Sequence, residues 1–169
     1  MATRNVTMVV NKKHYEDFKE RMMDITPSTM AEYSKVNMYL HHDGYPEWQG
    51  VQLANWLKTN NFADETRAAA KMVHDHYYDS CYLYNKQDEI DHQYTYMVFV
   101  GTLQNRIACY NRYNHDVVFD MTPDEILEKY EDKTLEHTDF ANGETRYLQG
   151  TNEDVKYHAN KLLTLLQKF

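Results

Sequence analysis

The residues best equipped for chemistry lie in one short stretch, His41, His42 and Asp43, followed closely by Tyr45 and Trp48. Two imidazoles supply hydrogen-bond donors and take up charge near neutral pH. A neighbouring carboxylate can orient one of them as a general acid or base. The rings of Tyr45 and Trp48 can stack on a nucleobase. The same stretch contains Asp43-Gly44, a turn signal, and Pro46-Glu47, the residue types that open a helix. A strand that hands over to a helix here exposes N–H groups with partial positive charge, a natural seat for an anion. Turn chemistry by itself accounts for Asp43, Gly44 and Pro46, with Gly44 expected at positive φ, but it does not require the histidines.

The elements that position this corner follow from hydrophobic periodicity. Asn5 to Val10 is β-branched and short, and Val36 to Leu40 alternates, so both are expected as strands. Between them Tyr15, Phe18 and Met22 recur at helical spacing, which predicts a helix near 13–24. Helices are further expected at 46–59, at 64–80 with Asp64 as its cap, at 122–131 and at 152–168. The fourth starts with a Thr122-Pro123-Asp124-Glu125 capping box. Tyr82 and Tyr84 alternate, Tyr94–Val100 and Ile107–Tyr113 form an antiparallel pair, and Val117 to Phe119 continues the sheet. The segment 133–150 shows no periodicity. The expectation is one α+β domain over residues 1–169, a mainly antiparallel sheet of about five or six strands packed with about five helices.

Composition narrows the function classes. The net charge is −8, from 18 basic and 26 acidic residues, which disfavours a broad phosphate-neutralising face. The longest apolar run, Tyr96 to Val100, is far too short to span a bilayer, and no basic leader precedes an apolar stretch. Cys81 and Cys109 lack metal-knuckle spacing and read as buried thiols of a reducing compartment, so a cytoplasmic setting is expected. Fifteen tyrosines against six phenylalanines suit half-buried strands or binding surfaces. Glycine-rich phosphate loops and nucleophile elbows do not occur. His74-Asp75-His76 resembles a metal motif, but residues two apart on a helix point to different faces. Asp75 and Asp79 share a face, and His115-Asp116 falls between two strands as a turn.

Met1-Ala2-Thr3-Arg4, Tyr39-Leu40-His41-His42-Asp43-Gly44-Tyr45-Pro46-Glu47 and Gly50 together resemble a family of small phage and bacterial proteins. Those proteins open M-S-T-R and carry a Y-x-H-W-D-G-Y-P-E-G-x-G-like segment. The likeness covers the first third of the chain. His42 departs from the family's Trp, and Trp48-Gln49 replaces a smaller pair. The family brings no activity with it. It implies a phage-like setting in the host cytoplasm, and an antiparallel pairing of the first two strands that sets Arg4 beside His41 as an anion clamp.

The resulting expectation is a non-enzymatic phage-type accessory protein that binds and neutralises a host protein or a small phosphorylated ligand such as a nucleotide signal. Its binding residues are Arg4, His41, His42, Asp43, Tyr45 and Trp48. No residue is assigned a catalytic role, and neither a metal nor another cofactor is called for. Two alternatives stay open. One is a hydrolase of a phosphorylated small molecule using His41 or His42 with Asp43. The other is a protein–protein adaptor working through an aromatic patch.

Overall fold

Strand β1 (Asn5–Asn11) is buried along nearly its whole length and lies in the middle of a six-stranded sheet. The computed structural model describes residues 3–76, 81–101 and 104–130, together with the backbone of 136–139 and 144–147. The remaining strands of the sheet are β2 (Asn37–Leu40), β3 (Cys81–Leu83), β4 (Tyr94–Val100), β5 (Arg106–Asn111) and β6 (Asp116–Met121). Their order is β3-β2-β1-β4-β5-β6. Every pairing is antiparallel except β1 with β4, which run parallel over Asn5↔Tyr94 to Asn11↔Val100. The mainly antiparallel α+β architecture expected from the sequence is therefore the one observed.

Alternation along β1 and β4 sends side chains to two cores. Val9, Tyr96, Val98 and Val100 face helices α3 (Val51–Thr59), α4 (Glu65–Asp75) and α5 (Pro123–Tyr130). Val6, Met8, Val10, Met97 and Phe99 face α1 (Lys12–Glu20), the short α2 (Pro27–Met30) and the segment 84–93. That segment links β3 to β4 without a helix, and it is held by Tyr84 N–H on the Asn37 carbonyl (3.1 Å) and Gln93 N–H on the Arg4 carbonyl (3.1 Å). Asp120 ties α1 to the far edge of the sheet. It accepts from Tyr15 Oη (2.9 Å) and from Arg106 Nε (2.5 Å), and burial followed by this carboxylate pushes the Tyr15 phenol up to about 12.

The helix signals are met where capping chemistry is explicit. Asp64 Oδ1 accepts from Arg67 N–H at 2.9 Å, and Thr122 and Glu125 complete their reciprocal box at 3.3 and 2.7 Å. Two expectations need correction, and the helix expected at 46–59 is found with a distinctive start. The first helix stops at Glu20 rather than near residue 24, because Met22 turns left-handed at φ 53. Met23 N–H then reaches the Phe18 carbonyl (2.9 Å) and Met22 N–H the Lys19 carbonyl (3.1 Å), a Schellman closure with methionine in the place glycine usually takes. The helix from Pro46 begins as a π turn, Pro46–Gly50, before α3. Within 133–150, Glu136–Asp139 and Glu144–Tyr147 pair as an antiparallel hairpin, β7 and β8, whose polar residues give no apolar alternation to read. The helix expected at 152–168 and the end of the one expected at 64–80 lie outside the described residues.

Two consequences are measurable. Met22 is 96% exposed, so its left-handed backbone is the only cost of a side chain there. Met22→Gly is expected to raise stability by about 1 kcal/mol in denaturant melts; a loss of stability would contradict the closure described. His92 is completely buried, and burial holds its imidazole at about 4 despite the nearby carboxylates of Asp91 and Asp88. The unfolded chain therefore takes up that proton first, near the ordinary value of about 6.5. Stability is full above that pH and falls on the way down to 4, by on the order of 3 kcal/mol from this residue. The urea midpoint of His92→Gln is expected to fall less over that interval than that of the native protein, and parallel slopes would refute the assignment.

Candidate functional site

The corner is built on a hydrogen-bonded glycine. Gly44 N–H donates to the Thr3 carbonyl (2.9 Å), and the Gly44 carbonyl accepts from the phenol of Tyr96 (2.7 Å), a fully buried residue of β4. A Cβ on Gly44 would stand 2.8 Å from the Thr3 oxygen and 2.9 Å from the Asn5 side chain. The residue at positive φ is Asp43 (φ 53), not Gly44. The expectation of a left-handed glycine is thus corrected. Aspartate tolerates that backbone, and glycine is needed for the close approach.

This clamp brings some of the expected binding residues together and parts others. Asn5 pairs with Leu40, so one step further Arg4 and His41 are neighbours in register. Both follow residues of the α1 side, Val6 and Tyr39, at the two-residue spacing of a strand face. His41 Nδ1 is 2.7 Å from the Tyr39 phenol, and its ring meets His42 edge-on with centroids 4.6 Å apart. Burial raises the Tyr39 phenol, and the positive charge of Arg4 opposes that rise, which puts the guanidinium within electrostatic reach of the Tyr39–His41 pair. Tyr39 also packs against Tyr82 and Tyr84 at 6.1 and 6.0 Å. Arg4 and His42 are exposed, and Tyr82 is 57% exposed, so this edge offers a cation, imidazoles and an open ring to solvent.

Asp43, Tyr45 and Trp48 belong to the other part of the corner, where the chain passes under Asn5 towards α3. Asp43 Oδ1 accepts from the Tyr45 phenol (3.1 Å). Its observed partner is therefore a tyrosine, whereas His41 is held by Tyr39. The helix start is also largely spent. Pro46 has no N–H, and the N–H groups of Trp48 and Gln49 both donate to the Tyr45 carbonyl, at 3.0 and 2.9 Å. Glu47 adds negative charge, which raises the phenol of Tyr45 after burial and Asp43 have done so.

The remaining chemistry-bearing residues serve the framework. Cys109 is buried beside Tyr96, and burial pushes its thiol far up, which keeps it protonated. Cys81 is half-buried, a departure from the expected pair of buried thiols. Burial pushes Asp75 up, but hydrogen bonds from Lys71, Trp56 and His74 outweigh it and hold the carboxyl at about 2. The Trp56 indole reaches it at 2.8 Å, so Asp75 joins α3 to α4; Asp79 lies outside the described residues. His115 sits in the β5–β6 turn at φ 61. Among the described residues no group of three metal-ligating side chains gathers, and no helix is long and apolar enough to cross a membrane.

A cleft of about 400 Å3 lies elsewhere, lined by Gln87, Asp88, Asp91, Tyr110, Arg112 and Tyr113 among others. Sequence reasoning missed it because its wall comes from the 84–93 segment, from β5 and from the turn after it, parts that share no motif.

The reason for glycine at position 44 can be tested directly. Asparagine is tolerated at left-handed positions, yet it carries a Cβ. Gly44→Asn is therefore expected to cost as much as Gly44→Ala, about 1–3 kcal/mol from overpacking. An asparagine variant as stable as the native protein would restore the left-handed explanation.

The chain matches no protein-family model, no curated protein and no solved structure.

Proposed function

We propose that this chain is a phage-type, non-enzymatic capture protein that binds and neutralises a small phosphorylated host ligand, of the nucleotide class, at the Arg4–His41 edge. The observation that carries the reading is the β1–β2 register, which ends at Asn5↔Leu40 and so sets Arg4 next to His41, a histidine anchored by Tyr39, near the exposed ring of Tyr82. Arginine suits phosphate because its donors form a fork that meets two oxygens at once. With the proton on Nε2, His41 accepts from Tyr39 through Nδ1 and keeps a donor for an anion. Stacking of a base on an open tyrosine adds about 1–3 kcal/mol. The phage setting rests on the resemblance of the 39–47 segment. Capture is favoured over hydrolysis because Asp43 is engaged by Tyr45 rather than by a histidine, so the observed bonds assemble no histidine–carboxylate dyad at this corner.

Incubation with a nucleotide panel, followed by calorimetry and chromatography of the recovered ligand, tests this reading. The expected result is saturable binding of a nucleotide that is recovered intact. Arg4→Ala and Tyr82→Ala are each expected to weaken it about tenfold or more, without lowering Tm. Turnover of the nucleotide would overturn capture in favour of hydrolysis. Binding of nothing in the panel would shift the reading to a protein partner at the exposed Tyr82–Leu83 edge.

A further inference from the structure

We infer that the cleft between the 84–93 segment and the β5–β6 turn is a second binding site, for a small zwitterion bearing an ammonium and a carboxylate. It shares no residue with the Arg4–His41 edge and stands independently of the function proposed there. The first observation is an orphaned acceptor in its wall. Gln87 is 7% exposed, and its Oε1 is buried without a hydrogen-bond partner among the described residues. A buried acceptor left unsatisfied costs about 1–3 kcal/mol, so such groups are rare, and a ligand N–H entering the cleft would supply the missing donor. The carboxylates of Asp88 and Asp91, both on exposed residues, line the same cleft. Together these three groups accept hydrogen bonds and carry negative charge, which is the complement of an ammonium.

Opposite chemistry is present in the same wall. Arg112 Nη1 donates to the Ile90 carbonyl at 3.2 Å and lies 3.1 Å from His92 Nδ1. His92 Nδ1 is itself 2.8 Å from that carbonyl, which has no proton to give, so Nδ1 carries the hydrogen and His92 accepts from Thr95 Oγ1 through Nε2. The Ile90 carbonyl holds Nη1 in place, while Nε and Nη2 of Arg112 make no bond to a described residue. The guanidinium is anchored at one corner and keeps donors for a carboxylate. A pure anion would meet the Asp88–Asp91 pair, and a pure cation would meet Arg112. A zwitterion satisfies both, and the rings of Tyr110 and Tyr113 flank its carbon chain. The volume of about 400 Å3 is in the range of small-molecule sites.

Calorimetric titration of the full chain with α-amino acids and with unbranched ω-amino acids of graded length decides the matter. At least one of them is expected to bind saturably. Its N-acetyl derivative and the corresponding amine without a carboxylate are each expected to bind about tenfold or more weakly. Gln87→Met removes an acceptor that has no partner, so it is expected to keep or raise Tm while weakening the zwitterion about tenfold. Arg112→Lys keeps the charge and loses the fork, and it is expected to weaken binding through the carboxylate alone, leaving the affinity of the amine unchanged. Absence of saturable heat at millimolar ligand overturns the inference. So does equal binding of the amine, which would make this a cation site, and so does undiminished affinity in Gln87→Met. None of these outcomes depends on nucleotide binding at the Arg4–His41 edge.

Discussion

The hydrogen bond from the Tyr96 phenol to the Gly44 carbonyl fixes how the chain leaves the sheet. Tyr96 lies in a central strand, fully buried, and burial, reinforced by Cys109, Tyr94 and Glu47, drives its phenol well above the ordinary range. A buried hydroxyl without a partner is costly, and so is a buried carbonyl. The bond settles both at once, 52 residues apart in sequence. It is possible only because Gly44 lies almost against Asn5 and Thr3, where a Cβ has no room. From that point the path is set. Pro46 is buried, the π turn brings Gly50 to within 3.3 Å of Phe119 for any Cβ built there, and α3 follows onto the sheet beside α5.

The same contact divides the expected binding corner. His41, the first residue after β2, follows Tyr39 to one face and stands next in register to Arg4. Gly44 itself is drawn to the α3 side by the Tyr96 phenol, and Tyr45 bonds Asp43 rather than a histidine. A sequence reader sees His41 to Trp48 as one run of eight residues and expects one surface. The observed bonds divide the run, His41 to Tyr39 and Asp43 to Tyr45, so proximity in sequence overstates proximity of side chains.

How much was legible follows the range of the physics involved. Capping at Asp64 and Thr122 acts over three residues, and both were read correctly, as were the strands whose alternation is local. The left-handed Met22 carries no local signal, since glycine would be the marker and the chain closes the helix without it. The parallel pairing of β1 with β4 depends on where the 84–93 segment crosses the sheet, and nothing within either strand records that. The β7–β8 hairpin is hard to read from sequence because its strands lack apolar alternation. The Arg4–His41 neighbourhood came from the implied antiparallel pairing rather than from either residue's own surroundings.

Unpaired polar atoms separate framework from function in what remains. Asn5 Nδ2, Asn37 Oδ1, Gln49 Nε2, Gln87 Oε1 and Asn105 Oδ1 are all buried and lack a partner among the described residues. For Asn5 the cause is visible: its amide nitrogen is 2.9 Å from where a Gly44 Cβ would stand, so the close approach that forms the clamp also crowds its donor. That is a cost of the fold, offset by the two hydrogen bonds of Gly44. Gln87 has no such compensation. Its segment is held by backbone bonds at Tyr84 and Gln93 and by the His92–Ile90–Arg112 cluster, none of which uses the Gln87 side chain. An apolar residue of the same length would serve the fold as well or better. A glutamine kept there, in the wall of an open cleft and beside two carboxylates, is therefore better explained by what enters the cleft than by what the cleft is made of.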